Sequence, residues 1–514
     1  MTEYIRKIEK WDAWEITCMG HTDKNPFVDY KIQGTFTGDH ECKTVDGFYD
    51  GDGKYVVRFM PSFEGKYAFV IKGSFSEETY EGTFEVLPAD GHNHGPVRVA
   101  NTYHFAYEDG TPYYSVGTTC YVWELQSEEL QKQTLETLKN SVFNKIRFCI
   151  FPKHYDYNLN EPRSYPYVGT PCDSTKLTKD NFQLFNGKAD GNQWDFYRFN
   201  PEHFRHIEEC IKQLRELSIE ADLIVMHPYD RWGFSSMSKE EDELYWNYVI
   251  ARFAAYRNVW WSLANEYDLM PQKTIKDWEN YAGIICEKDI YNHLRSIHNC
   301  MPFYDFTRPW VTHCSMQRQD VYKTAEFVTE WRERYKKPVV IDEIAYEGNI
   351  QHGWGNISGK ELVRRFWEAS LRGGYAGHGE TYMSPDDILW WSHGGVLHGD
   401  SPDRLRFLYK ILSETPGYGL MPLQSAWDEV CAVPESMDSM VRKTKNYYLY
   451  YYGFNRPSFR EFYYDDTSEF EIEVIDTWDM KIEDRGMVKG RFKVELPGKE
   501  YMAIRVKKCK GCQA

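Results

Sequence analysis

Between residue 112 and about residue 382, short strongly apolar runs alternate with segments of helical periodicity. A run that is apolar on both faces must be covered from two sides, which points to a parallel sheet with helices packed on it. The strand-type runs are Pro112–Thr118, Asn144–Phe151, Ala221–His227, Val259–Glu266, Pro309–His313, Asp320–Ala325, Pro338–Glu343 and Gly374–Tyr382. Helical spacing is carried by 128–139, 201–217, 240–256, 276–298, 326–335 and 359–372. Eight strands over about 270 residues fit a (β/α)8 TIM barrel, an α/β fold in which a helix follows each strand. An open doubly wound sheet is the alternative, but no glycine-rich phosphate loop follows the first strand.

The flanks read differently. Period-2 runs at Tyr30–Phe36, Lys54–Phe59, Gly65–Ile71 and Tyr80–Val86, with turn formers between them, predict an N-terminal Ig-like β-sandwich over residues 1–92. Runs at Tyr447–Tyr452, Ser468–Val474, Gly490–Leu496 and Tyr501–Val506 predict a small C-terminal β-domain over 419–514, which leaves 93–418 to the barrel. The chain holds 61 Lys plus Arg against 78 Asp plus Glu, a net charge of −17, and no basic run long enough to attract nucleic acid. No apolar stretch is long enough to span a membrane, and Met1–Trp11 lacks the apolar core of a signal peptide, so the sequence reads as cytoplasmic. Twelve scattered cysteines read as buried small hydrophobes, and the lone Cys509/Cys512 pair is a weak metal or redox signal. The anomaly is aromatic content, 39 Tyr, 29 Phe and 17 Trp, which suits either aromatic sandwich cores or a cleft in which sugar faces stack on rings.

Catalytic groups of such barrels stand at the C-terminal ends of the strands. There the sequence offers Arg147 on the second strand, His227 and Tyr229 after the third, and Asn265 and Glu266 after the fourth. His313 ends the fifth, Glu343 the seventh with Tyr346 just beyond, and Glu380 the eighth. Two carboxylates facing one mouth are what glycoside hydrolysis needs, one to protonate the leaving oxygen and one to attack the anomeric carbon or activate water. A carboxylate ending a run as apolar as Val259–Ala264 is also costly to seat without a function. Trp390 and Trp391, in a polar glycine-rich loop, are candidate sugar platforms. Two other readings stay open: an inactive carbohydrate-binding barrel, and a metal-dependent hydrolase using His227, His313, His378 and Asp230, although no HExxH pattern supports the latter.

Asn265 followed by Glu266 at one strand end, with Glu343 at another 77 residues on, resembles the clan of retaining (β/α)8 glycoside hydrolases. With the blocks Trp261–Asp268, Asp342–Gly348, Gly377–Tyr382 and Trp390–Gly395, nearly the whole chain resembles a bacterial group with an N-terminal Ig-like sandwich, an apiosidase-like barrel and a small C-terminal β-domain. The resemblance implies a glycosidase acting on O-glycosyl bonds of oligo- or polysaccharides, with no cofactor and no metal. Glu266 would be the acid/base and Glu343 the nucleophile. Arg147 would keep Glu343 ionised, and Asn265 would bond the sugar 2-hydroxyl. His227, Tyr229, His313, Tyr346, Glu380, Trp390 and Trp391 would complete the carbohydrate-binding set.

Overall fold

The computed structural model describes residues 4–186, 190–383, 389–425, 428–435 and 446–509. Cys512 lies outside them. The N-terminal region is a sandwich. A five-stranded sheet, ordered 7–9, 80–87, 65–72, 33–37 and 42–46, faces a three-stranded one built from 14–19, 54–59 and 48–49. Alternation along the strands puts the rings inside, where Trp14 stacks on Phe84 at 4.8 Å and Phe36 on Phe59 at 4.2 Å.

The central sheet has eight parallel strands: β1 Gly117–Thr119, β2 Lys145–Cys149, β3 Glu220–Met226, β4 Val259–Ala264, β5 Arg295–Ser296, β6 Cys314–Gln317, β7 Val339–Glu343 and β8 Tyr375–His378. Their ladders run continuously in the order β5, β4, β3, β2, β1, β8, β7, β6. The remaining seam, between β5 and β6, is bridged by Ser296, whose Oγ donates to His313 O (2.6 Å) and accepts from Ser315 N (3.1 Å). The helices that cover the barrel begin where the sequence places caps. Ser127 opens α1 Glu128–Lys139, and Asn200 with proline at the first turn opens α2 Pro201–Glu216. Capping boxes open α3 Lys239–Phe253 and α4 Ile275–Lys288. α5 Val328–Tyr335, α6 Gly359–Leu371, the single turn α7 Trp390–His393 and α8 Ser401–Ser413 complete the ring.

Three expected strands are corrected. Pro112–Tyr113 is not the first barrel strand. It pairs with His104–Tyr107 in an antiparallel sheet whose Phe105 packs on Trp260, Tyr375 and His313. The fifth strand is Arg295–Ser296, which falls inside the expected helix 276–298, because α4 stops at Lys288. The sixth is Cys314–Gln317, whereas 320–325 forms no strand. Two residues are too few to show periodicity, so β5 is defined only by its pairing with Trp261 and Ser262 on β4.

The barrel interior holds ions. Lys145 Nζ bonds Asp222 (3.0 Å) and Asp342 (2.7 Å), and Arg147 Nη1 reaches the same carboxylates at 3.3 and 3.2 Å. Burial alone would raise the Asp342 carboxyl, but Lys145 and Arg147 hold it well below the usual range. The sandwich is fixed to the barrel by a similar device. Buried Arg58 donates to Glu208 on α2 (2.5 and 2.9 Å), to Glu15 (2.6 Å) and to the carbonyl of Arg252 on α3 (2.7 Å). A C-terminal six-stranded sheet packs on α6, where Trp367 stacks on Tyr451 at 5.3 Å.

Candidate active site

β4 delivers Asn265 and Glu266 to the barrel mouth, and β7 delivers Glu343. Both carboxylates are buried. The backbone turns sharply at each: Glu266 is left-handed (φ 52°, ψ 56°), and so is Ala345 (φ 68°), two residues beyond Glu343. Left-handed backbone at residues other than glycine costs about 1–3 kcal/mol and concentrates at functional sites. Close packing shapes the mouth as well. A Cβ added to Gly379 would fall 2.3 Å from the Tyr346 ring, so a side chain there would dislodge that ring.

Each glutamate has its own tyrosine. The Tyr229 hydroxyl donates to Glu266 Oε2, and the Tyr121 hydroxyl donates to Glu343 Oε1. Asn265 Nδ2 lies 3.4 Å from Glu266 Oε2, while its Oδ1 accepts from Arg147 Nη2 at 3.3 Å and has Tyr121 Oη, whose one proton goes to Glu343, at the same distance. His298, just past β5, sets Nε2 at 3.4 Å from Glu343 Oε1. Gln317, the last residue of β6, lies between the two acids. Its amide nitrogen is 3.0 Å from Glu266 Oε1 and 3.2 Å from Glu343 Oε2. The sum of the two, 6.2 Å, is the greatest separation these carboxylate oxygens can have.

The two acids are polarised in opposite directions. Burial and the charge of Glu343 push Glu266 up to about 7, against the hydrogen bond from Tyr229. Burial also acts to raise Glu343, yet His298 and the Tyr121 hydrogen bond leave it below the usual glutamate range. Below about pH 7 Glu266 is thus mainly protonated while Glu343 is the more readily ionised of the two.

Among the described residues, side chains of this site not read from the sequence include Tyr121, Lys153, His298, Gln317 and Gln319, whose Nε2 lies 3.4 Å from Glu343 Oε2. Lys153 follows β2, and its Nζ sits over the rings of Tyr121 (3.4 Å), Tyr229 (4.2 Å) and Trp391 (4.6 Å). Trp391 meets Tyr121 edge-on at 5.4 Å and Trp354 at 4.9 Å, so it lines the mouth. Tyr346 is buried in the same cluster.

Other expected site residues stand elsewhere. Arg147 does not bond Glu343; it bonds Asp222, Asp342, Ser315 and Asn265 inside the barrel. His313 precedes β6 and therefore lies at the opposite end of the barrel, against Phe105 and Trp260. The misplaced strands hid this, and His298 occupies the position expected of His313. Trp390 points inward, donating Nε1 to Thr118 Oγ1 at 2.8 Å. Glu380 is a structural cap, accepting from the backbone N–H groups of His398 and Gly399. His227 is a core histidine, with Nε2 3.2 Å from Phe151 O and an imidazole that burial drives down to about 3. His378 bonds Thr118, and Asp230 accepts from the backbone of Trp232, Gly233 and Ser235, so these two, His227 and His313 do not converge on a metal position.

In sequence, the family of apiosidase-like catalytic domains matches residues 99–402. Two domains of unknown function match the flanks, DUF5060 over 7–74 and DUF5605 over 427–507. A solved structure from Bacteroides vulgatus, regarded as a glycoside hydrolase, is 34% identical, covers 98% of this chain and 100% of its own, and superposes with a TM-score of 0.88. A glycoside hydrolase family 5 protein of the same organism is 16% identical over 80% of this chain and 94% of its own, with a TM-score of 0.58. Another glycoside hydrolase is 15% identical over 81% of this chain and 98% of its own, at 0.59. The last two bear on the fold alone. No curated protein matches the chain.

Proposed function

This chain belongs to the apiosidase-like family of glycoside hydrolase-type barrels, and on that premise we propose that it cleaves O-glycosidic bonds of oligo- or polysaccharides with retention of configuration. Glu343 is the nucleophile and Glu266 the acid/base. The observation that carries this reading is the shared Gln317 amide. It caps the distance between one oxygen of each carboxylate, Glu266 Oε1 and Glu343 Oε2, at 6.2 Å, which admits the roughly 5–5.5 Å spacing of a retaining pair.

The chemistry follows from the polarisation. Ionised Glu343 attacks the anomeric carbon while protonated Glu266 gives its proton to the departing oxygen. Once Glu343 is esterified its charge is gone, and with it one of the two causes that hold Glu266 up. Glu266 then becomes the stronger acid, settles as a carboxylate and serves as base for the incoming water. Asn265 has its oxygen committed to Arg147, which leaves its amide nitrogen to face the substrate's 2-hydroxyl.

The test is hydrolysis of a panel of aryl glycosides and plant oligosaccharides by wild type, Glu266→Ala and Glu343→Ala, with the first-formed anomer read by NMR. Retention in the wild type and loss of turnover in both variants is the expected result. Inversion, or turnover that survives Glu343→Ala, would refute the assignment.

A further inference from the structure

Each glutamate is served by one tyrosine, and both tyrosines present a ring to the same cation. Tyr121 donates to Glu343 and Tyr229 to Glu266. The Lys153 ammonium lies 3.4 Å from the centre of the Tyr121 ring and 4.2 Å from that of Tyr229. Trp391 at 4.6 Å and Tyr155 at 5.7 Å are its other ring neighbours, and the residue is only 2% exposed. Backbone bonds fix the lysine at this spot. Cys149 N, at the end of β2, donates to Tyr121 O, and His154 N, one residue past Lys153, donates to Tyr229 O, at 2.8 Å each. The segment that carries the cation is thus pinned to the backbones of the two tyrosines whose rings it meets.

A ring face attracts a cation through its quadrupole, and a cation close to a carboxylate favours the ionised form. The charges that face Lys153 are Glu266 and Glu343, which attract it, and Arg147, which repels it. Burial keeps the Cys149 thiol and the hydroxyls of Tyr121, Tyr155 and Tyr229 protonated, and keeps the His227 imidazole neutral. His298 faces both acids as well, and Cys300 faces Glu266. Burial acts to raise both glutamates, and the Lys153 charge opposes it at each.

We infer that Lys153 is a positioning residue shared by the two acids: one buried ammonium, seated against the rings of both supporting tyrosines, sets where on the pH scale the reaction runs. This role rests on the glycosidase reading. Glu343 must be ionised to attack, and Glu266 must be protonated to donate. The cation favours the ionised form of both, so it draws the acid limb and the alkaline limb down together. It moves the activity window without narrowing it. Either tyrosine, by contrast, bonds one acid and moves one limb.

The experiment compares the full chain with Lys153→Met and Lys153→Arg. It reads the pH profile of kcat/KM on an activated aryl glycoside, and the carboxyl titrations of the same proteins by NMR of 13C-labelled glutamate, assigned through Glu266→Gln and Glu343→Gln. Lys153→Met should move both limbs and both titrations up by about 1 pH unit. Lys153→Arg keeps the charge and should leave them near their wild-type positions. A role in packing alone would lower the rate with both limbs in place. That result would overturn the inference, and so would a shift of one limb only or an equal shift in Lys153→Arg. Should Lys153→Met fail to fold, 15N NMR of the wild type decides. The ammonium should be charged throughout the activity window, and both glutamate carboxyl signals should step again when it deprotonates at higher pH. A neutral amine inside the window, or carboxyl signals that ignore its titration, would overturn the inference. Carboxyl titrations that move in Lys153→Met without any turnover in the wild type would keep the role of Lys153 and refute the glycosidase reading. Retaining turnover with unmoved titrations would do the reverse.

Discussion

Replacing Tyr229 by phenylalanine should raise the pH at which activity is lost on the alkaline side. Tyr229 donates its hydroxyl proton to Glu266 Oε2, a bond that favours the ionised form. A hydrogen bond to a charged group contributes about 1.5–3 kcal/mol, and 1.36 kcal/mol is one pH unit, so the bond depresses Glu266 by about 1–2 units. The donors that remain are Asn265 at 3.4 Å and Gln317 at 3.0 Å on the other oxygen. The first can close in and recover part of the loss, which places the shift near 1 unit. Glu266 acts as an acid and must be protonated, so the alkaline limb of kcat/KM should move from about 7 to about 8. Phenylalanine keeps the ring face that lies 4.2 Å from Lys153, so packing is preserved. The proton is also leaving Glu266 in the transition state, so the plateau should fall about threefold if half of that 1-unit effect is felt there. The assay is the pH profile of kcat/KM on an activated aryl glycoside, wild type against Tyr229→Phe. A limb that stays in place or moves to lower pH would refute both the acid assignment and the sign of the Tyr229 contribution.

Tyr121→Phe should act on the other limb. Losing the Tyr121 bond raises Glu343, which must be ionised to attack, so the acid limb of the same profile should climb by about 1 unit while the alkaline limb holds. Glu380→Gln should leave KM within about twofold but cost about 1–3 kcal/mol of stability in denaturant unfolding, because an amide cannot accept from both His398 and Gly399 through two oxygens. A change in KM with stability intact would return Glu380 to the substrate.

Where the chain is strongly apolar, the sequence was a sufficient guide. β3, β4 and β7 are buried along their whole length, and the residues that end them, Tyr229, Asn265, Glu266 and Glu343, converge as expected. The failures share a cause. A two-residue strand has no period, so β5 was invisible, and with it His298. The displaced β6 then left Gln317 unremarked, since an amide advertises no chemistry until two carboxylates close on it. Lys153 stands in a polar, aromatic loop where a lysine ordinarily points outward, and only the fold gathers the rings of Tyr121, Tyr229 and Trp391 around its ammonium. Arg147 was placed on the correct strand, but sequence carries no depth. It lies among the aspartates of the barrel interior, where it orients Asn265. Trp390 and Trp391 are adjacent, yet one short helical turn sends them to different fates, a choice that composition cannot make.

The Arg58 junction limits how this architecture can be recombined. Modules that are shuffled between genes usually meet through polar surfaces that tolerate separation. Here Arg58 of the sandwich is completed by Glu208 and the Arg252 carbonyl of the barrel, all in the interior. Separating the two parts would break the bidentate Arg58–Glu208 pair and uncover the apolar surface packed around it, although Arg58 would keep Glu15 and Glu208 would keep Arg252. The sandwich is therefore joined to this barrel by a specific interior junction rather than by a loose polar surface. During synthesis the sandwich emerges before α2 and α3, so the Arg58 junction closes only once those barrel helices are made.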